Sequence, residues 1–245
     1  MFIGFLQFKP SLGRVEENLR RVVELLNHAQ EGSVVLLPEM WQCGFDYEGM
    51  QEHAKKTAYV LDAIKELSLS KKIAIAGTYP VLEDNRLYNM AVVVYRGSVV
   101  YKRPKVKLFP LYEEPKHFSA GEENPTFELE GLKVGILVCF ELRFGAMAWE
   151  LKKKGVELLL VPAMWGAKRK EHWQTLTKAR AIELQAYVVA CNAWGKVGEE
   201  EYGGSSAIYG PWGDVLAFSE KGDRLCSAPL DKREIEKVRR YLPVD

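Results

Sequence analysis

The chain has 245 residues, a length that one α/β domain of about 200–250 residues can fill, so residues 1–245 are predicted to form a single domain. Apolar residues make up 47% and charged residues 27%, which excludes a generally disordered protein. The 34 lysines and arginines nearly balance 33 aspartates and glutamates, and a formal net charge of +1 gives no electrostatic basis for binding nucleic acid or an anionic membrane.

The sequence also bears on the compartment. No apolar run approaches the roughly 18 residues of a transmembrane helix. The apolar N-terminus has no preceding basic region and no small-residue cleavage site, so we expect a cytoplasmic protein without a signal peptide. The cysteines lie far apart without a C-x-x-C pair, which argues against a zinc cluster or a disulfide framework; they are Cys43, Cys139, Cys191 and Cys226.

The N-terminal part of the chain predicts a βαβ unit. Residues 2–8 form an apolar run typical of a buried strand, and residues 34–37 form a second one that stops at Pro38. Between them, Ser11 is a candidate N-cap for an amphipathic helix. The apolar face of that helix has helical spacing and consists of Val15, Leu19, Val22, Val23 and Leu26. The pattern predicts two neighbouring parallel strands with a helix packed on one face.

The rest of the chain continues with strands and helices. The pattern predicts helices near 57–70, 145–154 and 171–186, with a short capped helix after Asp231. It predicts strands near 73–76, 87–95, 98–102, 134–138, 158–161, 187–192, 205–209, 214–218 and 224–228. Residues 103–125 are irregular, and a loop of that length is usually functional or disordered. Two packed sheets with helices outside fit this order, and a single doubly wound sheet fits it almost as well.

Chemically useful side chains follow the apolar strands. Glu39 comes directly after the strand at 34–37, Cys139 directly after the strand at 134–138, and Lys105 opens the long irregular segment. A carboxylate can take the proton of a thiol, and an ammonium can stabilise both the thiolate and the oxyanion formed when a carbonyl is attacked. Taken singly, Glu39 fits a surface ion pair, Lys105 a solvated face and Cys139 a small buried hydrophobe.

The combination resembles the nitrilase superfamily of carbon–nitrogen hydrolases. The resemblance rests on Leu37-Pro38-Glu39-Met40, Lys105-Val106-Lys107-Leu108-Phe109 and Cys139-Phe140-Glu141-Leu142-Arg143-Phe144, and it continues through Pro162-Ala163-Met164-Trp165, His172-Trp173, Arg180-Ala181-Ile182-Glu183 and Gly203-Gly204-Ser205-Ser206. It implies a four-layer α-β-β-α sandwich of two mixed sheets between helical layers. It also implies pairing through helices into a homodimer or a higher homo-oligomer.

The resemblance assigns roles to residues. It implies that Cys139 is the nucleophile, Glu39 the base and Lys105 the oxyanion stabiliser, with a thioester intermediate and with neither a metal nor an organic cofactor. Glu114 best matches the family's second glutamate, although Glu113 is adjacent. This sequence departs from the family pattern at three positions, where Lys107 replaces a histidine, Met164 an asparagine and Gly145 a proline. Met164 and Gly145 are expected to border the pocket.

The expected substrate is a small amide, and the motifs most resemble the omega-amidase branch, with N-carbamoyl-amino-acid hydrolases as the alternative. The expected substrate-binding residues are Phe140, Arg143, Met164 and Trp165, with Arg143 or Lys107 as partner of a substrate carboxylate. Arg180 and Glu183 are read as a structural pair on a helix, and the clusters 152–154 and 168–170 as solvated faces. Two other hypotheses stay open: a catalytically idle scaffold and a papain-like hydrolase whose thiol pairs with histidine.

Overall fold

The structure is a computed structural model that describes residues 1–244. The strands are β1 (Phe2–Gln7), β2 (Ser33–Leu36), β3 (Ala74–Glu83), β4 (Arg86–Tyr95), β5 (Ser98–Pro104), β6 (Phe127–Leu129), β7 (Leu132–Ile136), β8 (Leu158–Ala163), β9 (Tyr187–Asn192), β10 (Trp194–Val197), β11 (Glu200–Gly203), β12 (Ser206–Tyr209), β13 (Val215–Ser219) and β14 (Arg224–Pro229). The helices are α1 (Val15–Leu26), α2 (Met50–Lys55), α3 (Thr57–Lys71), α4 (Glu114–His117), α5 (Gly145–Lys153), α6 (Lys170–Leu184) and α7 (Lys232–Tyr241). None of these helices is long and apolar enough to cross a bilayer.

The strands form two six-stranded mixed sheets packed on each other. The first has the order β14-β1-β2-β3-β4-β5 and the second β13-β12-β9-β8-β7-β6, while β10 and β11 form a separate hairpin. Strands β1, β2 and β3 are parallel neighbours, as are β7, β8 and β9. Across the interface, β1 contacts β9, and β2 contacts β8 and β9. The four-layer α-β-β-α sandwich is therefore confirmed, and the single doubly wound sheet is excluded.

The apolar runs of the central strands follow from burial on both faces. In β2, Val34 and Leu36 belong to the core between the two sheets, whereas Val35 belongs to the core that includes residues of α1 and α3. Phe5 and Leu6 of β1 divide between the same two cores. Because successive side chains point to opposite faces, a strand covered on both sides must be apolar at every position.

Two local predictions were wrong. Strand β3 continues to Glu83, beyond the predicted end at 76, and it turns into β4 through Asp84 and Asn85, which both have positive φ angles. Ser11 does not cap α1, whose N-cap is Arg14 without a side-chain hydrogen bond. Instead, Asn18 within the helix bonds both the backbone N–H and the carbonyl of Ser11 at 2.8 Å, and this fixes the preceding loop.

Candidate active site

Glu39, Lys105 and Cys139 converge where the two sheets meet. Glu39 and Lys105 follow β2 and β5 of the first sheet, whereas Cys139 follows β7 of the second. The backbone N–H of Glu39 donates to the carbonyl of Ala163 at the end of β8, which joins the two sheets at this edge. The packing of the sheets therefore brings together strand ends that lie far apart in the sequence.

Lys105 is buried between two carboxylates. Its ammonium lies 2.7 Å from Glu39 Oε1 and 2.8 Å from Glu114 Oε2, and all three side chains are 1% exposed. Although burial by itself lowers the pKa of Lys105, Glu114 and Glu39 more than offset it, and the net pKa is raised. The lysine is therefore a fixed cation. Glu113, the alternative second glutamate, is exposed and pairs with Lys116.

The Glu39 carboxylate has further donors besides Lys105. Its Oε2 accepts from the backbone N–H of Met164 at 3.1 Å, and its Oε1 accepts from Asn89 Nδ2 at 2.8 Å. Burial raises the pKa of Glu39, and the negative charge of Glu114 adds to this, against the opposing effect of Lys105. A carboxylate with a raised pKa is a stronger base than an ordinary exposed glutamate.

Cys139 lies at a constrained turn beside this carboxylate. Its φ angle of +46° is in the left-handed region, which costs free energy for a residue with a Cβ, and it begins the 3₁₀ turn Cys139–Arg143. Burial, and then the negative charge of the neighbouring Glu39, raise the pKa of Cys139. At neutral pH the thiol is therefore protonated, and Glu39 is in position to accept its proton.

Asn89 is a residue of this cluster that the sequence reasoning missed. From β4, its Nδ2 donates to Glu39 Oε1 at 2.8 Å and to Glu114 Oε1 at 2.9 Å. One amide group thus fixes the spacing of the two carboxylates that hold Lys105. The available signal was a polar residue directly before the apolar run that begins at Met90.

A buried ion pair supports the turn that carries Cys139. Glu141 accepts from Arg103 Nη1 at 2.8 Å and from Arg103 Nη2 at 2.5 Å. It also accepts from the backbone N–H groups of Val106, at 2.6 Å, and Val138, at 2.7 Å. Glu141 therefore joins the segment before Cys139 to the segment after Lys105. The sequence reasoning identified neither Arg103 nor Glu141 as part of the site.

A small open pocket leads to Cys139. It is lined by Phe109, Tyr112, Cys139, Phe140, Arg143, Met164, Trp165, Gly166 and Arg169. All four predicted substrate-binding residues line it. The Arg143 guanidinium lies 4.5 Å from the centre of the Trp165 ring and 3.3 Å from His172 Nδ1.

Two basic residues, Lys107 and Arg169, lie elsewhere than the sequence predicts, whereas Arg180 forms its predicted pair. Lys107 does not line the pocket but is exposed and lies over the Phe144 ring. Arg169, predicted to lie on a solvated face, lines the pocket instead. Arg180 and Glu183 form the predicted pair at 2.5 Å, and Arg180 also donates to the carbonyl of Leu142.

Comparisons with known proteins identify the family to which the chain belongs. Residues 3–240 match the family model of carbon-nitrogen hydrolases. The chain is 34% identical over 251 residues to a 2-oxoglutaramate amidase of Bacillus subtilis, covering 99% of this chain and 95% of the relative. It is 32% identical over 231 residues to an omega-amidase of Yersinia enterocolitica, covering 92% and 87%.

A solved structure shares the fold throughout. The crystal structure of a CN-hydrolase superfamily protein from Xanthomonas campestris superposes with a TM-score of 0.93 at 23% identity, covering 99% of this chain and 95% of that one. The chain therefore belongs to the carbon–nitrogen hydrolase family. It is an enzyme of the nitrilase superfamily, related to amidases.

Proposed function

We propose that this enzyme releases ammonia from an omega-amide of a small dicarboxylic acid, with Cys139 as the nucleophile. The observation that carries the proposal is that Cys139 lies beside a buried Glu39 that is itself paired with Lys105, at a pocket lined by Arg143. The names of the relatives, 2-oxoglutaramate amidase and omega-amidase, support the substrate class.

Acylation begins with proton transfer. Glu39 takes the proton of the Cys139 thiol, and the thiolate attacks the amide carbon. The carbonyl π electrons move to oxygen, where the Lys105 ammonium and the backbone N–H of Phe140 stabilise the negative charge. Glu39 then gives its proton to the amide nitrogen as the C–N bond breaks. Ammonia leaves, and a thioester joins the acyl group to Cys139.

Deacylation uses the same groups, with water as the attacking nucleophile and the Cys139 sulfur as the leaving group. Glu39, again a carboxylate, takes a proton from a water molecule that attacks the thioester carbon. The tetrahedral intermediate expels the sulfur, which recovers a proton from Glu39, and the carboxylic acid leaves. Lys105 stabilises the oxyanion in both halves, while Glu114 and Asn89 hold Lys105 and Glu39 in place. Acid–base and electrostatic contributions of this kind are each worth about 10²–10⁴ in rate.

The carboxylate of such a substrate needs a cationic partner. We assign that role to Arg143, which lines the pocket and stacks on Trp165. An N-carbamoyl amino acid also carries a carboxylate, so carbamoylase activity is the alternative that the pocket charge permits. A measurement of ammonia release from omega-amides, N-carbamoyl amino acids, simple aliphatic amides and nitriles separates these activities.

Replacement of the nucleophile tests the reaction itself. We expect Cys139→Ala to lose ammonia release from omega-amides, because no other group in the cluster can form the thioester. Cys226→Ala is the matched control, since Cys226 is half-buried on β14 away from the pocket, and it should keep wild-type turnover. Full activity of Cys139→Ala would end this proposal, and an inactive wild-type enzyme across the panel would favour the idle scaffold.

We also propose that the enzyme acts in the cytoplasm as a homodimer paired through helices α5 and α6. These helices contact each other, and their outer faces expose Trp149 at 40% and Ile182 at 49%. Exposed large apolar groups on adjacent helices are typical of an interface. Light scattering should give the mass of a dimer, and Trp149→Glu/Ile182→Glu should give a monomer. A monomeric wild-type protein would contradict this part of the proposal.

A further inference from the structure

Arg169 is a second cation at the pocket, held by aromatic rings. It ends the 3₁₀ turn Ala167–Arg169 directly before α6. Its guanidinium lies 5.4 Å from the centre of the Phe109 ring and 5.9 Å from that of the Tyr112 ring. Its Nη2 lies 3.4 Å from the Tyr112 hydroxyl. These contacts hold the guanidinium in place. They do not neutralise its charge, because an aromatic ring attracts a cation but carries no negative charge of its own.

The backbone around Arg169 is fixed by several contacts. Its N–H donates to the carbonyl of Gly166 at 3.0 Å, and its own carbonyl accepts from Trp165 Nε1 at 2.8 Å. A Cβ at position 166 would lie 2.7 Å from the Tyr112 hydroxyl and 3.1 Å from Arg169 Nη2. Because Gly166 has no side chain, Arg169 and the Tyr112 hydroxyl can approach each other at the pocket wall.

Neither guanidinium at the pocket has a carboxylate partner in the described part of the chain. The polar side-chain contacts of Arg143 and Arg169 there are with His172 and Tyr112, and neither forms an ion pair with aspartate or glutamate. The nearby Glu200 is exposed and bonds to the Tyr112 hydroxyl at 3.3 Å. Two unpaired cations at one small pocket create a positive potential that favours an anionic ligand.

We infer that Arg169 binds the remote carboxylate of the substrate together with Arg143, and that it selects carboxylate-bearing amides over neutral ones. This inference rests on the proposed function and adds to it a specificity-determining residue. A carboxylate has two oxygens, and a guanidinium donates to them through N–H groups in a fixed planar arrangement. A neutral amide of the same length makes no such contact and gains nothing from Arg169.

Paired substrates measure this selectivity. The Arg169→Gln variant should hydrolyse succinamate with a kcat/KM that is about 10- to 100-fold lower than wild type, equivalent to about 1.4–2.7 kcal/mol. Its kcat/KM for the neutral butyramide should change by less than about threefold, a difference of under ~0.7 kcal/mol. Lys168→Gln is the matched control because it removes the same charge from an exposed position in the same turn, and it should leave both values unchanged. An equal loss for both substrates, or no loss for succinamate, would overturn the inference.

A binding measurement separates this inference from the proposed reaction. Calorimetric titration of Cys139→Ala with glutarate measures carboxylate binding without turnover, and Cys139→Ala/Arg169→Gln should bind it about 10-fold more weakly or worse, at the scale of one charged hydrogen bond. Equal affinity would refute the role of Arg169 even if wild type hydrolyses succinamate. If the Arg169 variant binds glutarate more weakly but the wild-type enzyme releases ammonia from no omega-amide, the role of Arg169 in binding stands and the proposed function is refuted.

Discussion

Removal of Glu141 should destabilise the fold severely and displace the turn that carries Cys139. Its carboxylate is fully buried and is bonded to Arg103, which is 3% exposed, and to the N–H groups of Val106 and Val138. In Glu141→Leu the guanidinium stays buried without a counter-ion, and two backbone donors lose their acceptor. Breaking one partner of a buried pair costs about 3–5 kcal/mol. Since the lost backbone bonds add to that cost, we expect a value near the upper end.

A double variant separates the stability cost of the unpaired buried charge from the cost of the other lost contacts. In Arg103→Met/Glu141→Leu no buried charge remains, although the two N–H groups still lack an acceptor, so we expect a smaller loss of about 2–4 kcal/mol. Urea unfolding followed by tryptophan fluorescence gives both values from the midpoint and slope. Glu24→Leu is the control, since the Arg20–Glu24 pair is 63% and 60% exposed and should change stability by less than about 1 kcal/mol. If the double variant were no more stable than Glu141→Leu, the reasoning from the buried charge would be refuted.

Three further predictions concern the catalytic cluster. Asn89→Ala should lower kcat about 10-fold or more with little change in KM, because both carboxylates lose a shared donor; steady-state kinetics in which only KM changes would contradict this. Glu114→Gln removes a negative charge that raises the pKa of Glu39. The acidic limb of the kcat/KM profile, where Glu39 loses its base form, should therefore move to lower pH, and a shift to higher pH would be the opposing result. Iodoacetamide should modify Cys139 faster than the half-buried Cys226, which has no adjacent carboxylate base; mass spectrometry that finds Cys226 equally reactive would favour an idle scaffold.

Much of the architecture is present in the local sequence. A strand buried on both faces must be apolar at each position, so runs such as 34–37 and 134–138 could be recognised without coordinates. Glu39 and Cys139 could be recognised for a related reason, since a polar or reactive residue directly after a buried strand stands out from its neighbours. The choice between one sheet and two needed the resemblance to a family, because both arrangements use the same succession of elements.

The partners of those residues were decided only by the tertiary structure. The bond from Asn89 to Glu39 joins positions 50 apart, and the pair between Arg103 and Glu141 joins positions 38 apart. Arg169 lies between two lysines in the sequence, a pattern that predicts a solvated face, yet the rings that hold it come from the distant segment 109–112. Hydrophobic periodicity reports which face of an element is buried, because that is a local property. Which polar groups meet across the packed sheets depends on the packing itself, and no local pattern contains it.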